Sequence, residues 1–380
     1  GYEIVTNVNE IIKYGPSVAE RYPQQSAKVD NYIAQAYFLR ALAHLDLSLV
    51  YGQTYTFTED ASHLGTVVMT TVPDVKEKIS RSSAAVTYRQ VLKDLETALS
   101  LFSSDYSGNC FHASPAACKA LMARVYLYMG DYGEALRKAS EVISEYGLTL
   151  TPRADYVAMF CGRKEGSEAI LRLNGLSSGT NLRSMFDYTS PKMYPSAKLT
   201  DLFDRENGRW TGSDIRSELL SYTSPDGTAY AGVCMKFIDT EDIAETEKRY
   251  DPFVLRLSEM YLIRAEAACK TGDLSSAADD IARLEARARG VQESAIKVTY
   301  KDADELDSII QDERIKELFL EGHRLFDITR RHETLTRDAA CGSSVLSMPF
   351  PDDRLVLPIP LVELDANKDM QPNPINSTKR

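Results

Sequence analysis

The chain has 380 residues, 43% hydrophobic and 26% charged, an ordinary globular composition long enough for one large domain or two to three average ones. Forty-four lysines and arginines against 55 acids leave a formal charge of −11, and no basic block exists that would release phosphate counterions, so nucleic acid is not an expected partner. No apolar run reaches the roughly eighteen residues of a membrane span.

The chain opens at Gly1 with YEIVTNVNE, which has neither the basic start nor the apolar run of a signal peptide. The helical scaffold is expected from about residue 8. NYIAQAYFLRALAHLDLSLVYG (31–52) reads as its first clear helix and is interrupted by Arg40, His44 and Asp46, so it is a core helix rather than a membrane span. After a loop at 53–80, residues 82–102 form a second helix, with Ser82 or Ser83 as cap and Val86, Val91, Leu95, Leu99 and Phe102 as its stripe.

Residues 113–147 open with Ser114-Pro115, a cap followed by proline at the first helical position. Ala120, Ala123, Tyr126 and Leu127 mark one face, Gly130-Asp131 turns the chain, and Ala135, Ala139 and Val142 mark a second helix. The same grammar returns at 255–290: Ala265, Ala268, Gly272-Asp273, Ala277, Ile281 and Leu284 repeat the offsets of Ala123, Tyr126, Gly130-Asp131, Ala135, Ala139 and Val142. Small residues at these places allow close helix approach, a spacing that resembles the tetratricopeptide pattern.

Between these repeats, residues 176–250 are rich in glycine, serine, proline and aromatics, and SPDG (224–227) marks a turn between two short β-like runs. Such an insert on a rigid scaffold is where a binding surface is expected. It concentrates Phe186, Tyr188, Tyr194, Phe203, the sole tryptophan Trp210, Tyr222, Tyr230 and Phe237 among polar residues. Flat rings beside donors and acceptors suit sugars, whose C–H faces stack while their hydroxyls need partners. The competing use of each ring is the insert's own small core. Trp210, Tyr222, Tyr230 and Tyr194 are the candidate stacking residues, with Arg209 and Asp214 as polar neighbours.

ERIKELFLEGHRLFDITRR (313–331) reads as one helix with Ile315, Leu318, Phe319, Gly322 and Phe326 on the packed stripe. Glu313, Glu317, Glu321 and Arg324 fall on the far side, and the acids pair along the helix as Arg314–Glu317, Glu321–Arg324 and Asp327–Arg331. A glycosidase needs two carboxylates that converge from different elements, so this segment reads as a structural charged network, not a catalytic site. The last forty residues carry Pro349, Pro351, Pro358, Pro360, Pro372 and Pro374 and must pack as an extended tail.

The five histidines form neither HxH nor HExxH, and nucleophile-elbow, phosphate-loop and dinucleotide motifs are missing, so no metal, cofactor or catalytic residue is assigned. The six cysteines show no CxxC; Cys118 and Cys269 read as small core residues, and Cys110 and Cys341 lie in polar loops. Free thiols are the expectation.

Five collinear segments resemble the SusD/RagB-like nutrient-binding lipoproteins of Gram-negative outer membranes. They are YIAQAYFLRALAHLDLSLVYG, RSSAAVTYRQVLKDLETAL, the two tetratricopeptide-like units counted as one pair, ERIKELFLEGHRLFDITRR and LPIPLVELDANKDMQPNP (357–374), the last with Lys368 where the family signature has proline. The resemblance implies an all-α-dominated SusD-like fold in one domain over 1–380. Its scaffold is expected at 8–175 and 251–335, its variable ligand face on the insert at 176–250 with the 53–80 loop, and its tail at 336–380. It also implies a glycan or other nutrient as ligand, a SusC-like TonB-dependent porin as partner, and a cell-surface, outer-membrane location through an N-terminal lipid anchor that this stretch does not contain, as if truncated. The family's ligand-contacting aromatics vary, so the resemblance transfers no binding residue. A tetratricopeptide-like adaptor for a peptide or protein partner is the alternative. A glycoside hydrolase would need the converging carboxylates already found wanting.

Overall fold

Helix starts follow the cap signals. Ser83 accepts from the Val86 amide, Ser114 from Ala117, Asp273 from Ser276 and Asp302 from Glu305, while Gly130, Gly272 and Gly290 close helices in the left-handed region that glycine adopts without strain. The computed structural model describes the chain except residues 75–76, 107, 162–163, 176–180, 208, 242–250 and 378–380. Two compact units divide it, Gly1–Asp131 with Leu325–Arg380, and Tyr132–Arg324.

The first unit is built on α1 (Tyr2–Arg21), α2 (Ser26–Tyr51), α3 (Ala84–Leu101) and α4 (Pro115–Met129), packed α1 on α2, α2 on α3 and α3 on α4. The scaffold therefore begins before residue 8. Gly15-Pro16 and several Asn and β-branched residues give α1 weak intrinsic propensity, and burial of Val5 and Val8 outweighs it. On α3 the buried face runs through Ala84, Tyr88, Val91, Leu95 and Ala98; Val86, counted in the apolar stripe, is exposed beside the cap.

In the second unit, α5 (Tyr132–Glu145) packs on α9 (Leu257–Thr271), which also carries α10 (Leu274–Arg289) and α11 (Ala303–Leu318). Ala135, Ala139, Ala265, Ala268 and Ala277 are all fully buried, so the small residues of the repeat are used for close helix contact. Between α5 and α9 lie α6 (Arg153–Cys161), β1 (Ala169–Arg172), α7 (Asn181–Phe186), α8 (Ala197–Thr200), β2 (Arg205–Glu206), β3 (Arg209–Trp210), β4 (Ser221–Thr223), β5 (Ala229–Ala231) and β6 (Phe253–Arg256). The strands pair antiparallel as β1–β6, β2–β3 and β4–β5. The insert's described residues enclose their own apolar core, with Phe186, Phe203, Ile215, Leu219, Leu220, Val233, Met235 and Phe237 buried against Tyr156, Phe160 and Phe319.

Segment 313–331 is not one helix. α11 ends at Leu318; Leu320 and Gly322 take positive φ, and the chain restarts as α12 (Arg324–Arg330) in the first unit. The tail carries β7 (Leu335–Thr336), β8 (Ser347–Met348), the short helix α13 (Leu361–Ala366) and 3-10 turns at Ala339–Cys341, Asp353–Leu355 and Pro374–Ser377. Asn373 fastens it, donating at 2.8 Å to both Tyr51 O and Leu357 O while accepting at 2.7 Å from Arg81 Nη1.

Candidate functional site

The acids of 313–321 do not form an outer face. Glu313, Arg314 and Glu317 are buried; Lys316 on the next turn of α11 meets Glu313 at 2.6 Å, and their other partners come from elsewhere in the second unit. The reason is enclosure: once α10, β6 and the turn Ile215–Leu220 surround this helix end, each buried carboxylate needs a cation and further hydrogen bonds. Glu317 is the hub. It accepts from Arg256 Nη1 at 2.6 Å, Arg287 Nη2 at 2.7 Å, Arg216 Nη1 at 3.0 Å and the Tyr156 hydroxyl at 3.3 Å. Glu321 takes Arg256 Nε at 2.8 Å and Lys236 Nζ at 2.5 Å, and Glu168 takes Arg256 Nη1 at 2.8 Å and Arg287 Nη1 at 3.0 Å.

Burial by itself would raise these carboxyls. The charges of Arg287, Arg256 and Arg216 outweigh it and hold Glu317 well below the usual carboxylate range, and Arg256 with Lys236 brings Glu321 down to about 2. Burial lowers Lys236, partly offset by Glu321. Carboxyls with such values stay ionised near neutrality and offer no proton to a leaving group. Around this network, Arg314 lies 3.9 Å from Glu266 and His323 sits 4.0 Å from Glu259; in the first unit, Asp327 accepts from Arg330. Arg324 begins α12 half-buried.

The aromatic residues gather at the insert. The turn at 224–228, held by the Ser224 and Thr228 amide contacts to each other's loop and to Asp226, sets Tyr222 opposite Tyr230 across β4–β5. Tyr188 closes on both, with ring centroids at 4.6 Å from Tyr222 and 5.1 Å from Tyr230. Trp210, paired with Arg205 across β2–β3, is half-buried on the same apolar core, and the Arg205 guanidinium lies 5.0 Å from its ring centroid. Its indole N–H is buried without an acceptor.

Tyr194 is 67% exposed and Arg209 is exposed on β3. Asp214 departs from its expected place. It is 6% exposed, caps the turn Ile215–Leu220 and engages Arg216 through both oxygens, at 2.8 Å to Nε and 2.6 Å to Nη2, so it belongs to the buried network and not to a ligand face. The Tyr222–Tyr230 opposition was readable from SPDG between two β-like runs. Tyr188 and Arg205 carry no such local signal, since tertiary packing and a strand pair bring them in.

Cavities of about 330 Å³, beside Tyr2, Arg81 and Glu363, and about 370 Å³, beside Tyr261, Arg283 and Glu293, lie elsewhere, and neither is lined by the insert aromatics. All six cysteines are free thiols, with Cys118 and Cys269 buried. No cluster of His, Cys, Asp and Glu among the described residues has metal-binding geometry.

A family model described as the SusD family matches residues 221–375, and one described as starch-binding associating with outer membrane matches residues 1–127. SusD-like protein P2 of Formosa agariphila is 26% identical over 418 aligned positions, taking in 98% of this chain and 78% of that protein. Among solved structures, a putative sugar binding protein from Bacteroides vulgatus superposes with a TM-score of 0.83 at 25% identity, covering 98% of this chain and 83% of the other. A SusD superfamily protein from Bacteroides thetaiotaomicron gives the same score and identity over 98% and 84%.

Proposed function

Since this chain belongs to the SusD family, we propose that it is a carbohydrate-binding protein of the outer-membrane surface, which captures oligosaccharides on its insert and passes them to a SusC-type TonB-dependent transporter. The observation that carries the binding site is the tyrosine group of Tyr222 and Tyr230 on the β4–β5 hairpin with Tyr188 packed on both, partly exposed, together with Trp210 on the same apolar core and the exposed Tyr194 of the insert. Aromatic faces of this kind stack on sugar rings, and the polar side chains around them, Arg209 among them, serve the hydroxyls. The sugar-binding name of the Bacteroides vulgatus neighbour and the starch-binding description of the N-terminal model support the same ligand class.

Capture proceeds here without catalysis. The carboxylates nearest to a glycosidase arrangement, Glu313, Glu317 and Glu321, are locked to arginine and lysine inside the unit. No helix among the described residues is long and apolar enough to cross a membrane, and attachment by an N-terminal lipid, as in the family, supplies the surface location. Affinity gels containing soluble starch, laminarin, xylan or pectin, run beside a reducing-sugar assay on the same panel, test this reading. Retardation in one of them without sugar release supports it; sugar release, or migration unaffected by every polysaccharide, contradicts it.

A further inference from the structure

Two buried cations stand at the two legs of the tyrosine hairpin. Below β4 and β5 the legs run into the core as Leu219–Leu220 and Val233–Met235, joined by the Gly232 and Val233 amides on Leu220 O and the Met235 amide on Leu219 O. Arg216 lies just before the first leg. Its Nη1 donates to Glu313 at 2.5 Å and Glu317 at 3.0 Å. Lys236 lies just after the second leg, and its Nζ donates at 2.8 Å to Glu317 O and at 2.5 Å to Glu321. The ammonium also sits 3.9 Å from the Phe319 ring centroid and 4.8 Å from that of Phe160. Both legs therefore end on the same short stretch, the last two turns of α11 and the residues just beyond it.

We propose that Arg216 and Lys236 are positioning residues that hold the β4–β5 hairpin in its binding geometry, so that ligand affinity depends on a charged cluster the ligand does not touch. The inference rests on reading Tyr222 and Tyr230 as the ligand face. Buried ion pairs contribute little net stability compared with well-packed apolar groups, but they fix one geometry where apolar contacts tolerate several. Preorganising a binding hairpin removes an ordering cost from association.

Lys236 is the residue to change. Arg216→Met would remove the guanidinium that Asp214 engages through both oxygens, whereas Lys236→Met leaves Glu321 paired with Arg256 and Glu317 O still accepting from Arg256 Nη2 at 2.7 Å, with the methionine side chain between two phenylalanine rings. Lys236→Met is expected to unfold at an unchanged denaturant midpoint. Its amides within 221–235 exchange with deuterium at least about tenfold faster while α9 and α11 keep their protection, and its affinity for the polysaccharide that best retards the wild type falls by roughly threefold to tenfold. Hairpin exchange identical to wild type overturns the proposal. So does faster exchange with unchanged affinity in a protein whose Tyr222→Leu variant binds weakly. A Tyr222→Leu variant that binds like the wild type sinks the ligand-face reading instead, and is told apart because the exchange result at 221–235 does not depend on ligand.

Discussion

Arg216 and Glu313, 97 residues apart in sequence, meet at 2.5 Å with both side chains out of solvent. The contact joins the insert to the helix that carries the family's charged signature, and it is one edge of a network centred on Glu317.

Removing the hub's charge takes one of its carboxylate partners from each of three buried arginines, Arg216, Arg256 and Arg287. Glu317→Gln keeps the shape and is expected to lower unfolding free energy by about 3–5 kcal/mol, the usual cost of breaking a buried pair from one side. Urea unfolding of variant and wild type measures it. A loss below about 1 kcal/mol would show that the network is solvated and the pairing weak.

Acid should undo the same network in a defined window. Glu321 titrates at about 2 when folded against 4.5 when unperturbed, so its contribution is fully present above the unfolded value and is lost as pH falls from about 5 toward 2. The difference corresponds to roughly 3 kcal/mol. Unfolding free energy plotted against pH should fall in this range for the wild type and less steeply for Glu321→Gln. Parallel curves for the two proteins contradict the assignment.

The tail anchor is predicted to matter for the first unit. Asn373→Ala deprives Tyr51 O and Leu357 O of a donor and Arg81 of an acceptor, which is expected to cost about 2–3 kcal/mol and to expose residues after 357 to limited proteolysis. Proteolytic patterns matching the wild type would assign the tail's attachment to other contacts.

Trp210 separates packing from binding. Its buried N–H lacks an acceptor, so Trp210→Phe removes an unsatisfied donor and should leave stability within about 1 kcal/mol of wild type. Thermal unfolding tests this; a large loss would mean that the indole N–H or the Arg205 contact holds the β2–β3 pair together.

The scaffold was readable because helix packing writes itself into local spacing: Ala135, Ala139, Ala265 and Ala268 recur at helical intervals and are buried where that spacing puts them. The hairpin was readable for the same reason, since a turn signal fixes which residues face one another. The charged segment was legible as structural but not as buried. Periodicity counted its acids as an outer face, while, apart from Lys316 beside Glu313, the cations that enclose them come from positions 216, 236, 256 and 287, which no local pattern links. Asp214 was misplaced likewise, because its partner Arg216 turns inward on a 3-10 turn that composition does not mark. α1 was hidden by weak propensity that tertiary packing overrides.

The most direct measurement is polysaccharide binding by the wild type and by Tyr222→Leu/Tyr230→Leu, which keeps apolar burial while removing the flat rings. A polysaccharide is expected to retard the wild type in an affinity gel, and the double variant, folded by circular dichroism, to lose affinity by roughly tenfold or more, as about 1.4 kcal/mol or more of lost stacking requires. Equal retardation of the two proteins would contradict the placement of the ligand on this hairpin.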